Sequence, residues 1–188
     1  MSNAKFDLAK TTQEIKRAGK GIPPLDEWNP DFCGDIDMRI ARNGEWFYMG
    51  TPITRPAMVK LFSTVLWEEK GQYYLKTPVE KIGIQVEDAP FVITSVERQQ
   101  GKFGEELCFK TMTDDTVVLG KGHKLWVEYS EETEEPSPYL DVRFGMKGLI
   151  HRNVFYELVN MAEERQSSSG QTLVIKSQGL EFTLGLLN

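Results

Sequence analysis

Apolar and polar residues alternate along most of this chain, and three stretches switch to the spacing of a helix. Residues 5–18 set Phe6, Leu8, Ala9, Ile15 and Ala18 at loose helical intervals and end at Gly19 and Gly21, which predicts a short N-terminal helix. Residues 21–34 carry three prolines together with Leu25, Trp28 and Phe32, so an ordered loop packed on the body is expected. Met38–Ala41 and Glu45–Met49 flank Asn43-Gly44, the pair that best accepts the positive φ of a two-residue hairpin turn. That register sets Ile40 across from Phe47 and Arg42 across from Glu45.

After Thr51-Pro52-Ile53, Thr54 reads as the cap of a second helix, with Pro56 in its first turn. Met58, Leu61, Phe62, Val65 and Leu66 form its apolar stripe, and Gly71 is its expected end. Gln72–Lys76 and Lys81–Glu87 read as strands, the latter alternating Ile82, Ile84 and Val86. Asp88-Ala89-Pro90 breaks the pattern. Strands are then expected at Phe91–Gln99, Leu107–Met112, Val117–Leu119 and Lys124–Tyr129, an antiparallel meander with turns at Gly101–Gly104, Asp114-Asp115 and Gly120–Gly122. Ser130–Pro138 reads as a solvated acidic loop, Tyr139–Phe144 as strand, Arg152–Arg165 as the third helix, and Leu173–Ile175 and Leu180–Leu186 as closing strands.

Shifting the chain by 97 residues lays Ile53 on Ile150, Arg55 on Arg152, Met58 on Phe155, Leu61 on Leu158 and Phe62 on Val159. With a two-residue insertion Gly71-Gln72 meets Gly170-Gln171, and Arg42-Asn43-Gly44 can be laid on Arg143-Phe144-Gly145. The reading is a mixed α+β protein with a duplicated strand-helix-strand core. Its expected parts are an N-terminal helix (1–20), an α+β domain (21–88) and a strand-rich α+β domain (89–188).

Composition narrows the function classes. The 188 residues are 40% hydrophobic and 27% charged, ordinary for a chain that buries roughly 70% of its unfolded surface. A net charge of -6 gives no general attraction to nucleic acid or an anionic membrane, so an anion site has to be local. Cys33 and Cys108 lack any paired spacing and read as free thiols; with no apolar run long enough for a leader or a span, a cytoplasmic location is expected.

Arg55 and Arg152 are the sharpest positions. Each is placed in the first turn of a helix, where the dipole disfavours a cation unless something negative offsets it. A helix start with a guanidinium fork is a receptor for phosphate or carboxylate; the competing reading is an internal brace to Asp35, Asp37 or Asp141. His151, beside Arg152, is the best general-base candidate, and His123 sits in a glycine turn. Asp35 and Asp37 lack the glycine and closing glutamate of a calcium loop. No P-loop, dinucleotide fingerprint, nucleophile elbow or zinc-ligand spacing is present, so no cofactor and no metal are expected. Trp28, Trp46, Trp67 and Trp126 lie in apolar patterns and read as core.

GIPPLDEWNPDFCGDIDMRIARNGEWFYMGTPI at Gly21–Ile53 and TPVEKIGIQVEDAPF at Thr77–Phe91 resemble the bacterial domain-of-unknown-function family 1285. Pro138–Arg143 and Arg152–Leu158 continue the resemblance, which spans nearly everything after residue 20. It implies a duplicated core, a C-terminal domain superficially like a pleckstrin-homology fold, a binding site where the domains meet, a nucleotide-like ligand and a signalling role; it carries no catalytic residues. The resulting expectation is a non-enzymatic sensor. A phosphate-bearing small molecule would be held between the units by Arg55, Arg152 and His151 and oriented by Asp35, Asp37 and Arg39. The alternatives are a hydrolase or lyase using His151 and Asp37, and an adaptor whose C-terminal sheet binds another protein.

Overall fold

The computed structural model describes residues 6–187; residues 1–5, where the N-terminal helix reading begins, and Asn188 lie outside the described residues. The chain divides into two compact units, Met1–Pro90 and Phe91–Asn188.

In the first unit, Asp7 caps α1 (Leu8–Arg17) by accepting the amides of Ala9 and Lys10 at 3.0 and 3.2 Å. The helix buries Thr11 and Ile15, and Thr11 Oγ1 donates to Glu80 Oε1 at 2.8 Å. A single 3-10 turn at Leu25–Glu27 buries Leu25 completely, as the packed-loop reading expects. Phe32 departs from that reading: it opens β1 (Phe32–Ile40), is 54% exposed and meets Tyr74 edge-on.

The hairpin from β1 to β2 (Trp46–Tyr48) forms one residue out of the expected register, with Ile40 opposite Trp46 and Arg39 opposite Phe47. The Gly44 amide bonds back to the Ala41 carbonyl and Gly44 alone of the Asn-Gly pair takes positive φ, 90°, so the loop has three residues instead of two. A slip of one residue exchanges faces. Trp46 turns to the core with Met38 and Ile40, while Phe47 joins Arg39 on the other face. Arg42 reaches Asp88, at 2.6 Å, where Glu45 was expected.

A two-residue strand β3 (Thr51–Pro52) leads to α2 (Pro56–Ser63), whose N-cap is Arg55 and not Thr54. The helix ends eight residues before Gly71 because Val65 and Leu66, which prolong its stripe in sequence, are buried as the chain enters β4 (Leu66–Glu69). β5 (Gln72–Lys76) and β6 (Lys81–Val86) follow as read. Phe62 of α2 stacks on Trp46, with ring centroids 6.3 Å apart, so the helix covers the Met38–Ile40 face of the sheet.

The second unit begins with the meander β7 (Phe91–Gly101), β8 (Gly104–Thr111) and β9 (Thr116–Val118). β10 (Leu125–Tyr129) does not continue it but pairs with β11 (Pro136–Arg143), and β12 (Met146–Ile150) is a further strand that the sequence pattern did not reveal. α3 (Arg152–Met161) ends early, and Glu163–Arg165, expected as helix, opens the strand β13 (Glu163–Ser167). β13, β14 (Gly170–Ser177) and β15 (Leu180–Leu187) form a separate three-stranded sheet. Ser177 at its turn is fully buried. Its hydroxyl donates to Leu119 O at 2.6 Å and accepts Leu107 N–H at 2.9 Å, which fixes this sheet to β8 of the larger one.

The duplicated core is visible in the two six-stranded sheets. Their orders are β3-β2-β1-β6-β5-β4 and β10-β11-β12-β7-β8-β9, the same arrangement when each set is counted from its own first strand. In both, two antiparallel meanders meet at a central parallel pair, β1 with β6 and β7 with β12. The helices hold different ranks within this repeat. α2 lies between the third and fourth strands of its sheet, whereas α3 follows the sixth.

Candidate functional site

Arg55 stands at the start of α2 with an extended backbone (φ -87°, ψ 108°) and makes no side-chain capping bond. Pro56 has no amide to satisfy, no acidic residue lies in the first turn, and Arg55 itself is exposed. Among the described residues of its unit, no carboxylate pairs with its guanidinium. The same holds for Arg152 in the second unit, the first residue of α3, which is also exposed and has no acidic neighbour in its turn. His151 caps this helix: its Nδ1 accepts the Asn153 amide at 3.3 Å. The α3 start is therefore partly satisfied by its own chain, and the α2 start is left without a side-chain cap.

Asp35, Asp37 and Arg39 alternate along β1 opposite the buried Met38 and Ile40, so they project from the face that α2 does not cover. They are thus apart from the α2 packing face and do not form a cluster around it. Arg39 is already engaged: it pairs with Glu87 and lies 4.3 Å over the Phe47 ring. The Arg42 backbone amide holds the Glu87 carboxyl below its ordinary value, and Arg39 adds to the effect. Asp35 lies directly over Gly83, a position a larger residue would contest. This open face also carries Lys81, bonded to Glu69 at 2.8 Å, and Trp67, with the Lys76 ammonium 3.9 Å over its ring. Lys81 correspondingly lowers the Glu69 pKa.

In the second unit the strongest polar feature is internal. Arg143 Nε bonds Asp115 Oδ1 at 3.0 Å, with both side chains nearly buried, and burial lowers the arginine's pKa more than Asp115 restores it. Asp115 also accepts the hydroxyls of Thr111 and Thr113. Nearby, Glu106 accepts amide donors from Gln178 and Gln99, which lower its pKa without any cation. His123 Nδ1 sits 3.0 Å from the Asp141 carbonyl. Of the tryptophans only Trp46 is fully in the core; Trp28, Trp67 and Trp126 are half-buried. Cys33 and Cys108 are free thiols. Among the described residues no group of three metal-ligating side chains occurs, and no helix is long and apolar enough to cross a membrane.

Two six-stranded sheets of one topology define a duplicated two-domain α+β protein. The chain belongs to the DUF1285 family: residues 23–89 match the N-terminal domain of "Domain of unknown function (DUF1285)" and residues 90–184 the C-terminal domain of "Protein of unknown function (DUF1285)". A crystal structure of a DUF1285 family protein from Silicibacter pomeroyi DSS-3 is similar to it with a TM-score of 0.88 and 43% identity, over 98% of this chain and 97% of that one. A second, from Shewanella baltica OS155, is similar with a TM-score of 0.53 and 30% identity, over 65% of this chain and 90% of that one. No curated protein matches the chain.

Proposed function

We propose that this protein is a non-enzymatic, ligand-binding regulatory module that takes a phosphate-bearing, nucleotide-like small molecule at its exposed helix starts, in a signalling role. Arg55 at the start of α2 is the principal anchor, and Arg152 with His151 at the start of α3 is the second. The observation that carries the reading is the arginine at each helix start with neither an acidic residue in that turn nor a carboxylate partner among the described residues of its unit. A cation there costs about 0.3–1 kcal/mol against the helix dipole, and a bound anion reverses that cost while using the open amides. Arg39, held by Glu87, contributes field and not direct contact. A pleckstrin-homology-like second unit, which the family resemblance implies, would fit the same role.

The test is thermal unfolding with inorganic phosphate, pyrophosphate and a panel of nucleotides, on the parent and on Arg55→Ala and Arg152→Ala. A ligand at a hundred times its Kd stabilises by about 2.7 kcal/mol, a readily measured rise in Tm. The rise is expected to be lost in Arg55→Ala and reduced in Arg152→Ala. If no phosphate compound shifts the parent, the proposal fails.

A further inference from the structure

The open face of the first sheet holds a buried lysine. Lys76 ends β5 on that face, two residues after Tyr74, and lies directly opposite Lys81 of β6. Like charges across a strand pair repel, so each needs compensation of its own. Lys81 has it: its ammonium bonds Glu69 Oε2 at 2.8 Å and lies 5.0 Å from the centre of the Tyr74 ring. Among the described residues the Lys76 ammonium makes no hydrogen bond and no ion pair; it faces the Trp67 ring, 3.9 Å away.

Burial makes that lack costly. Lys76 is only 6% exposed, against 19% for the Lys81 side chain. An ammonium withdrawn from water without a hydrogen-bonding partner loses free energy that a π face returns only in part. Burial accordingly pulls the Lys76 pKa below the ordinary lysine value, and nearby Glu69 opposes the fall without cancelling it. The stem carries the burial. The ammonium at its tip is not sealed from solvent, so a small group can reach it.

The surroundings set the charge and the shape of the group that fits. Glu69 already answers Lys81, and the Asp35 carboxylate lies over Gly83 on the same face. One unanswered positive charge on a face with two carboxylates takes one negative charge, and a further one is repelled. A carboxylate brings one, whereas a phosphate group near neutral pH brings more. Apolar surface lies alongside. The Phe32 ring, 54% exposed, meets Tyr74 edge-on with centroids 6.0 Å apart and borders Gly83, where β6 raises no side chain. Trp67 pairs with Tyr74 across the ladder, so three rings run over this face.

We propose that Lys76 anchors a small monocarboxylate with an apolar body on the open face of the first sheet. The carboxylate meets the Lys76 ammonium, and the body lies on the rings beside it. The site is built within one unit, on the face that α2 does not cover. It is separate from the helix starts, and the inference does not depend on the phosphate reading there.

Calorimetric titration of the intact protein with phenylacetate, acetate and inorganic phosphate tests it, repeated on Lys76→Met and Arg55→Ala. Phenylacetate should bind the parent more tightly than acetate or phosphate does, and Lys76→Met should weaken it about tenfold or more. Arg55→Ala should leave phenylacetate binding unchanged, which separates this site from the helix starts. Phenylacetate should also alter the tryptophan emission of the parent, a change that Trp67→Phe should abolish. Lys76→Gln takes the place of Lys76→Met if the methionine variant does not fold. The proposal is overturned if phenylacetate does not bind, if it binds the Lys76 variant as tightly as the parent, if Arg55→Ala abolishes it, or if phosphate is the ligand that Lys76→Met loses.

Discussion

The two six-stranded sheets share one strand order yet are held by different physics. The first is braced on its open face by solvent-facing ion pairs, Arg39 with Glu87 and Lys81 with Glu69. The second is braced internally by Arg143 and Asp115, whose side chains are only 13% and 12% exposed. Their sixth strands repeat the contrast at one position: Gly83 in β6 lies under the movable carboxylate of Asp35, whereas Gly148 in β12 is wedged against Ile93 and Val142. Topology alone therefore fixes neither where a duplicated sheet stores its stability nor which of its faces remains open for use.

The sharpest way to break this comparison is to remove one partner from each kind of pair. Asp115→Ala takes a carboxylate partner from a mostly buried guanidinium and should cost about 3 kcal/mol in urea unfolding, whereas Lys81→Ala, on the solvent-facing pair, should cost far less. Similar costs would erase the distinction. Next comes the glycine pair. A Cβ on Gly148 would lie 2.9 Å from Ile93 Cδ1 and 3.0 Å from Val142 Cγ2, both core atoms. Gly148→Ala should lose about 2 kcal/mol by overpacking, while Gly83→Ala, met by a carboxylate that can swing away, should stay within about 0.5 kcal/mol.

Acid should distinguish the faces further. Glu69 and Glu87 have pKa values below the usual 4.5, so the stability they add is present above that value and is lost as pH falls through their folded values. Urea unfolding at a series of pH values below 4.5 should show a shallower decline for the Glu69→Gln, Glu87→Gln double variant than for the parent. The smallest effect is at a turn. Lys70 holds φ 53° before Gly71; Asn tolerates that conformation better, so Lys70→Asn should raise stability by about 0.5 kcal/mol.

Turns also explain what the residue pattern revealed and what it concealed. The single Asn-Gly pair promised a two-residue turn and formed a three-residue one. Four two-residue turns, Met49-Gly50, Lys70-Gly71, Phe144-Gly145 and Gln178-Gly179, take positive φ at both positions with no propensity signal at the first. Strands β4 and β12, each beside one of these turns, went unread, and β13 went unread as well. Val65 and Leu66 prolong a helical stripe, and the Glu-Glu-Arg-Gln-Ser of β13 has no apolar alternation because Arg165 and Lys176 hold its exposed edge through ion pairs with glutamates. Strands with a buried face, such as β6 and β7, were plain, since alternation and burial coincide there. At the candidate sites, residue type and the helix starts were legible. That Arg39 is engaged by Glu87, 48 residues away, was not, because only the parallel pairing of β1 with β6 brings them together.

That central pairing also dictates an order of assembly. Each three-stranded meander closes through short turns, whereas the seam joins residues as distant as Phe32 with Lys81 and Phe91 with Gly148. Loops of that length close only after nearby contacts have formed, because their entropy is lost before any bond compensates for it. Each sheet is thus expected to form as two local halves that meet last along its middle, so the parallel pairing at its centre, and not the strands themselves, is the newest part of the folded molecule.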